Sequence, residues 1–235
     1  MPDGSFVPGD WRNTGATNTR PARRVQLKGF RIGATEVTVG QFRRFVEETG
    51  HVTAVEVQGF GFTKSADGKT VRREGISWKE PGFPQSDDHP VVLVTKNDAM
   101  QFADWIGARL PTVAEWEYAA RNGGGQVIYP WGDQLASNTA NFADRTSGFA
   151  NAASNLTDGQ QYTAAVRTYP GSSAGLFDMA GNVSEWCLNP GTGGKGLIRG
   201  GSWAEETRFM RTTTSNEVAN ENVATTWIGF RVVME

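Results

Sequence analysis

From Tyr129 to about residue 196 the chain is dominated by glycine, asparagine, serine and threonine, and no apolar period runs through it for more than a turn or two of helix. Such a stretch does not build long helices, and its apolar residues alternate too seldom for long strands. It has to be ordered as loop. Glycine makes up 29 of the 235 residues, which argues for a loop-rich fold and against a helical bundle. Eight tryptophans offer one way to hold irregular backbone in place, through aromatic clusters.

The first half carries the regular elements. Residues 25–39, "VQLKGFRIGATEVTV", are β-branched and partly alternating, and read as strand pieces. Thr38 caps a predicted helix over "VGQFRRFVEETG", with Phe42, Phe45 and Val46 on one face and Gly50 at its end. Residues 51–90 read as a long structured loop with a hairpin about "SADGKT". Two capping boxes follow, Thr95 with Asp98 and Thr112 with Glu115, each opening a helix; Pro111 and Gly123 bracket the second. "LIRGGSW" and "WIGFRVVM" close the chain as strand-like segments. With no internal repeat and no linker, residues 1–235 read as one α+β domain.

Several function classes drop out on composition. A formal net charge of −2 gives no footprint for nucleic acid, and "RPARR" at 20–24 reads as a solvated turn. No apolar run approaches a membrane span, and no signal-peptide pattern is present. The single cysteine, Cys187, excludes an internal disulfide, a redox cysteine pair and a multi-cysteine zinc site; it reads as a buried small hydrophobe. His51 and His89 are far apart in sequence, so a histidine-rich metal site is not expected.

A set of segments occurs in one order: "DDHPVVLVTKNDAMQFADWIGARLPTVAEWEYAARNG", "YPWGD", "GLFDMAGNVSEWC", "IRGGSW" and "GFR", preceded by "DGSFVPGD" and "IGATEVTVGQFRRFVEETG". Together they resemble the formylglycine-generating enzyme, or sulfatase-modifying factor, family over nearly the whole chain. The resemblance implies a C-type-lectin-like fold, α+β and poor in regular structure, with ligands bound near the C-terminal loops. Members that make formylglycine carry a cysteine pair after the Gly-Gly-Ser-aromatic step, where two thiolates hold copper. Here the first of those positions is Glu205 and the second Met210, so no copper and no standard formylglycine activity are expected.

What remains in "GGSWAEETRFMR" is a polar set. Glu205, Arg208 and Ser202 are the candidate catalytic residues, with a carboxylate as general base. Trp203, Arg211 and Trp227 are candidate ligand-binding residues. Solvated loop ion pairs and packing aromatics are the competing readings for these positions. Arg199 and Arg231 read as buried structural ion-pair partners.

The resemblance also implies calcium. One family site carries over to Asp178, Gly181, Val183 and Glu185, and a second to Asn141, Phe142, Asp158 and Gln160, with Gly181, Val183, Phe142 and Gln160 acting through carbonyl oxygens. Up to two structural calcium ions would order the loop-rich region where core burial is thin. Weak calcium sites favour a periplasmic or secreted setting, with the cytoplasm as the alternative. Three functions compete. One is an unorthodox enzyme acting on a small peptide-like ligand, as in oxidative maturation of a siderophore such as pyoverdine. Another is a ligand-binding variable protein of a diversity-generating retroelement, with 204–227 as the diversified stretch. The third is a non-catalytic paralogue docking a protein partner.

Overall fold

The computed structural model describes residues 1–10, 23–149, 152, 153, 155–188, 195–218 and 220–235. Most of the "RPARR" cluster lies outside them. Four α-helices appear: α1 (Val39–Thr49), α2 (Ala54–Gln58), α3 (Lys96–Trp105) and α4 (Val113–Ala120). Each starts on a threonine whose hydroxyl accepts the backbone N–H three residues on, while that residue's side chain accepts the threonine N–H. The pairs are Thr38–Gln41, Thr53–Glu56, Thr95–Asp98 and Thr112–Glu115. The sequence signals three of these starts. α2 carries the same box in Thr53–Glu56 but reads as loop in the sequence, because its five residues are too few to show an apolar period.

The strands are short: β1 (Gly4–Phe6), β2 (Val25–Leu27), β3 (Arg31–Ile32), β4 (Phe60–Lys64), β5 (Thr70–Glu74), β6 (Ser184–Cys187), β7 (Gly196–Arg199), β8 (Ser215–Val218), β9 (Ile228–Gly229) and β10 (Val233–Met234). β1–β2, β3–β10 and β4–β5 form two-stranded antiparallel pairs. The β4–β5 pair is the hairpin expected around "SADGKT". The remaining four make one sheet in the order β8-β7-β6-β9, with β6 and β9 parallel. That sheet positions the candidate site. β7 leads into Gly200, the chain loops out through a 3₁₀ turn (Thr207–Met210), pairs as β8 at one edge and returns as β9 against β6 at the other.

One expectation is refined and one corrected here. The tight Gly-Asn turn of "DMAGNVSE" runs straight into a fully buried strand, β6, which takes in its last two residues, Ser184 and Glu185. "WIGFRVVM" was read as one strand, yet it splits into β9 and β10, which belong to different sheets. The break falls at Phe230–Val232, where Arg231 turns inward and is fully buried. Within 129–196 the described residues hold no α-helix, as expected.

The core joins helices to this sheet. Phe42 of α1 stacks on Phe102 of α3 at 6.0 Å, and meets Trp78 edge-on at 5.2 Å. Phe230 packs edge-on against Phe102 at 5.4 Å. Trp186 of β6 is fully buried in the same cluster and donates through Nε1 to the Val94 carbonyl at 3.1 Å. A second layer is electrostatic. Arg231 forks onto Glu185 with both contacts at 2.7 Å, and Arg199 reaches Glu117 at 2.6 Å while Arg121 holds the other Glu117 oxygen at 2.9 Å. All five side chains are buried, which bears out the reading of Arg199 and Arg231.

Candidate functional site

The loop after β7 folds back over the β6–β9 edge because its own backbone is tied there. Trp203 N–H donates to the Asn182 carbonyl at 3.0 Å, and Trp203 Nε1 to the Thr226 carbonyl at 2.9 Å. Ser184 N–H donates to the Trp227 carbonyl at 2.9 Å. These ties bring Ser184, the Ser202–Glu205 loop and Trp227 together from three places in the sequence.

At the centre is Glu205. Ser184 Oγ and Ser202 Oγ donate to its Oε2 at 2.8 and 2.9 Å. Burial raises the carboxyl above the usual glutamate value, against the opposing pull of the two hydroxyls and of the Lys64 charge. Lys64 comes from β4. Its ammonium lies 4.6 Å from the Trp227 ring centre, and burial lowers its affinity for the proton while Glu205 raises it. Burial thus disfavours the charged form of both groups, and each is opposed by the other's charge. Nothing in the sequence pointed to Lys64 or Ser184, since only the fold brings the hairpin and the β6 start to this loop.

Other sequence candidates separate from this centre. Arg208 is exposed and pairs with Glu206 at 3.2 Å, so it does not join Ser202 and Glu205 as a catalytic group. The 3₁₀ turn points it outward. Arg211 follows that turn, partly buried, and its carbonyl accepts the Thr214 N–H. Trp203 is buried beneath the site rather than walling it, with Tyr162 edge-on at 5.3 Å and Phe149 stacked at 6.0 Å. Phe83 lies parallel to Tyr162 at 4.5 Å. Met210, expected at the second cysteine position, is fully buried. Cys187 is buried too, and its thiol is pushed far up by burial, so no reactive thiolate is available.

The two implied calcium sites lie side by side. Asn182 bridges them: its N–H donates to the Asn141 carbonyl at 2.8 Å, its Oδ1 accepts from Asn141 Nδ2 at 3.2 Å, and its Nδ2 donates to Glu36 Oε2 at 3.3 Å. Asp178, Gly181 and Asn182 all have positive φ (54°, 84° and 60°), giving a cupped backbone between them. Each site holds a buried oxygen without a partner among the described residues, Asn141 Oδ1 in one and Glu36 Oε1 in the other. An orphaned buried oxygen is costly, and a hard cation would satisfy it. Burial lifts Asp158 to about 6, and its two oxygens accept the Phe142 and Gln160 N–H groups at 2.8 Å each. Asp178 is raised by burial, and Glu36 is raised well above the ordinary value by burial, Asp178 and Glu185. Glu185, by contrast, is already neutralised by Arg231 and accepts Trp116 Nε1 at 2.7 Å, so the structure places that predicted ligand in an ion pair. Glu36, which no motif flagged, stands on the other side of Asn182. Among the described residues no three His, Cys, Asp or Glu side chains gather as metal ligands, so cations here would draw on carbonyl and amide oxygens.

The whole chain, residues 1–235, matches the sequence profile of the sulfatase-modifying factor enzyme 1-like domain. A formylglycine-generating enzyme of Streptomyces coelicolor is 36% identical over 242 residues, covering 86% of this chain and 77% of its own. A mouse relative described as an inactive C-alpha-formylglycine-generating enzyme 2 is 32% identical over 229 residues, covering 87% and 73%. Among solved structures, PvdO from Pseudomonas aeruginosa superposes with a TM-score of 0.76 at 26% identity, covering 100% of this chain and 92% of that one.

Proposed function

The chain belongs to the sulfatase-modifying factor family, and from that membership and its cysteine-free loop we propose that it works on a small peptide-like ligand by proton transfer at Glu205, without thiolate-held copper. The observation that carries this reading is the Glu205 carboxyl itself, held by Ser184 and Ser202 and raised by burial where formylglycine-forming relatives place a cysteine. A carboxyl raised in this way is a stronger general base than an ordinary glutamate. The reaction we favour is an oxidative maturation step on a peptide-like metabolite, for example a siderophore such as pyoverdine. In that step the substrate gives two electrons and two protons to an external oxidant such as dioxygen. Glu205 takes one of those protons, Lys64 tunes its charge, and Trp227 flanks the substrate.

Calcium would have a structural part. The orphaned Asn141 and Glu36 oxygens fit one cation near Asn141, Phe142, Asp158 and Gln160, and another near Asp178, Gly181 and Val183. Bound there, the ions would order the loops around Tyr162 and Asn182 on which Trp203 and Glu205 rest. Calcium sites of this kind suit a periplasmic or secreted protein. No described helix is long and apolar enough to cross a membrane.

The test is genetic and chemical together. A strain lacking the gene should accumulate an unconverted peptide-like intermediate, seen by mass spectrometry of culture extracts. The wild-type gene should restore conversion and Glu205→Gln should not. Full restoration by Glu205→Gln removes Glu205 from the chemistry and favours a non-catalytic role, as the inactive mouse relative would suggest for this chain.

A further inference from the structure

The β4–β5 hairpin fixes a lysine beside the Glu205 site. It is tied to the segment that carries Trp227: Phe62 N–H donates to the Ala224 carbonyl and Thr226 N–H to the Phe62 carbonyl, each at 3.0 Å. The Thr63 and Thr226 hydroxyls meet at 3.3 Å. Lys64 follows directly, and its ammonium lies 4.6 Å from the centre of the Trp227 ring. Thr70 stands opposite it in the β4–β5 register, and the ammonium donates to Thr70 Oγ1 at 3.2 Å. An ammonium carries three donors, so this neutral hydroxyl satisfies one of them while an aromatic face offsets part of the charge. Among the described residues no carboxylate comes within ion-pair distance of Lys64. Glu205, whose charge it senses, has its Oε2 held by Ser184 and Ser202 instead.

The other cations of the hairpin are differently placed. Lys69 pairs with Asp67 at 2.6 Å, and Arg72, on the same face as Lys64, pairs with Glu74 at 2.7 Å and covers the Phe60 ring at 3.6 Å. Arg73 lies on the opposite face, with its guanidinium against Gly82. These three are exposed, and water screens them. Lys64 is half-buried, where a charge without a counter-ion is costly and burial lowers its proton affinity. An anion settling on its free donors would supply that counter-ion. The match is a single negative charge, because one ammonium faces the site, Arg72 is spent on Glu74, and an ionised Glu205 would repel a dianion. A carboxylate is such a group, and the Trp227 ring offers a flat apolar flank to the carbon that bears it. We propose that Lys64 is the anion-binding residue of this site: it takes a carboxylate of the ligand against the Trp227 ring, beside Glu205. That this carboxylate belongs to a molecule converted at Glu205 rests on the function proposed above; the anion site does not.

The experiment uses the whole protein at low ionic strength and two probes that differ in charge, N-acetylglycine and N-acetylglycinamide. Binding is followed by ¹⁵N NMR at the backbone amides of Lys64 and Trp227 and at the Trp227 indole N–H. The acid should shift these resonances saturably and bind about tenfold more tightly than the amide. That preference should shrink as salt is added. Lys64→Met should abolish it, and Lys64→Arg, which keeps the charge, should retain it. Glu205→Gln removes a competing negative charge and should bind the acid at least as tightly as wild type does. Equal binding of acid and amide overturns the proposal, and so does a preference that survives Lys64→Met. Absence of any shift at Lys64 and Trp227 overturns it too, as does tighter binding of methyl phosphate than of N-acetylglycine. Loss of acid binding in Glu205→Gln with retention in Lys64→Met would move recognition to Glu205 and overturn it as well. Full conversion by Glu205→Gln, with the acid still preferred, would refute the chemistry and leave the Lys64 site standing.

Discussion

Replacing Arg231 by methionine tests how much of the site rests on one buried charge. Both Arg231 and Glu185 side chains are 0% exposed, so neither can turn to water when its partner is lost. The guanidinium donates to Glu185 through Nε and Nη2 at 2.7 Å each, to the Gly33 carbonyl at 3.0 Å and to the Phe177 carbonyl at 2.9 Å. Methionine fills much of the same length and satisfies none of them. Glu185 would keep a single donor, Trp116 Nε1. Removing one member of a buried pair costs about 3–5 kcal/mol. The two stranded carbonyls add to that less than their separate values of about 1–3 kcal/mol, because such losses share their relaxation. A net loss of about 4 kcal/mol is a large part of the roughly 5–15 kcal/mol that holds a native fold. With a urea slope of about 2–3 kcal/mol/M, the midpoint should fall by about 1.3–2 M. Adding Glu185→Gln to Arg231→Met removes the uncompensated charge and keeps an acceptor for Trp116, so the double variant should recover about 1–2 kcal/mol over the single one. Tryptophan fluorescence against urea measures both. A loss under about 1 kcal/mol, or a double variant no better than Arg231→Met, would refute the assignment of this pair as the pin beneath β6.

Glu205→Gln carries a pH signature in stability. The folded carboxyl is raised above its unfolded value, so its stabilising contribution is present below the unfolded value and is lost as pH rises through the folded one. Relative to wild type, the glutamine variant should therefore gain stability as pH rises above about 4 in urea titrations, and a pH-independent difference would contradict the raised carboxyl. Gly181→Ala should cost about 2–4 kcal/mol, since φ is +84° there and a Cβ would run into the Asn141 backbone; an unchanged melting temperature would mean the loop yields freely. Calcium at ten times its dissociation constant should raise stability by about 1.4 kcal/mol, with the gain abolished by a chelator, and calorimetry showing no calcium dependence would dismiss both sites.

The helices were legible because their signals are local. A threonine followed three residues later by Gln, Asp or Glu states its capping role within four residues, and α1, α3 and α4 open where those boxes lie. The hairpin was legible for the same reason, through its turn residues. β6 was not, because "SEWC" is short, flanked by glycine and asparagine, and becomes a strand only when β7 and β9 arrive from elsewhere. The site divides along the same line. Glu205 and Ser202 sit in one short motif and were found together. Ser184, Lys64 and Glu36 each belong to a different part of the sequence, and no spacing rule joins them. Arg208 lay close to Glu205 in sequence yet points to solvent, because the 3₁₀ turn between Thr207 and Met210 rotates it away.

A carboxylate in this loop, with no cysteine pair beside it, changes what the rest of the loop must supply. A thiolate needs a soft metal and little else, whereas a buried carboxylate needs donors and a nearby positive charge to be ionised at all. The loop provides them unequally: two hydroxyls converge on Oε2, while Lys64 is itself held back by burial. Burial weakens the charged form of both the carboxyl and the amine, while the charge of each favours ionisation of the other. The two residues across Asn182 obey the opposite rule. Glu185 is fully paired with Arg231, while Glu36, bonded to Asn182, is left with an orphaned oxygen and a carboxyl raised well above the ordinary value by burial and by Asp178 and Glu185. One guanidinium cannot offset Glu36, Asp178 and Glu185 together, and the fold resolves this either by keeping Glu36 protonated or by taking up a cation. The calcium dependence of stability decides between the two.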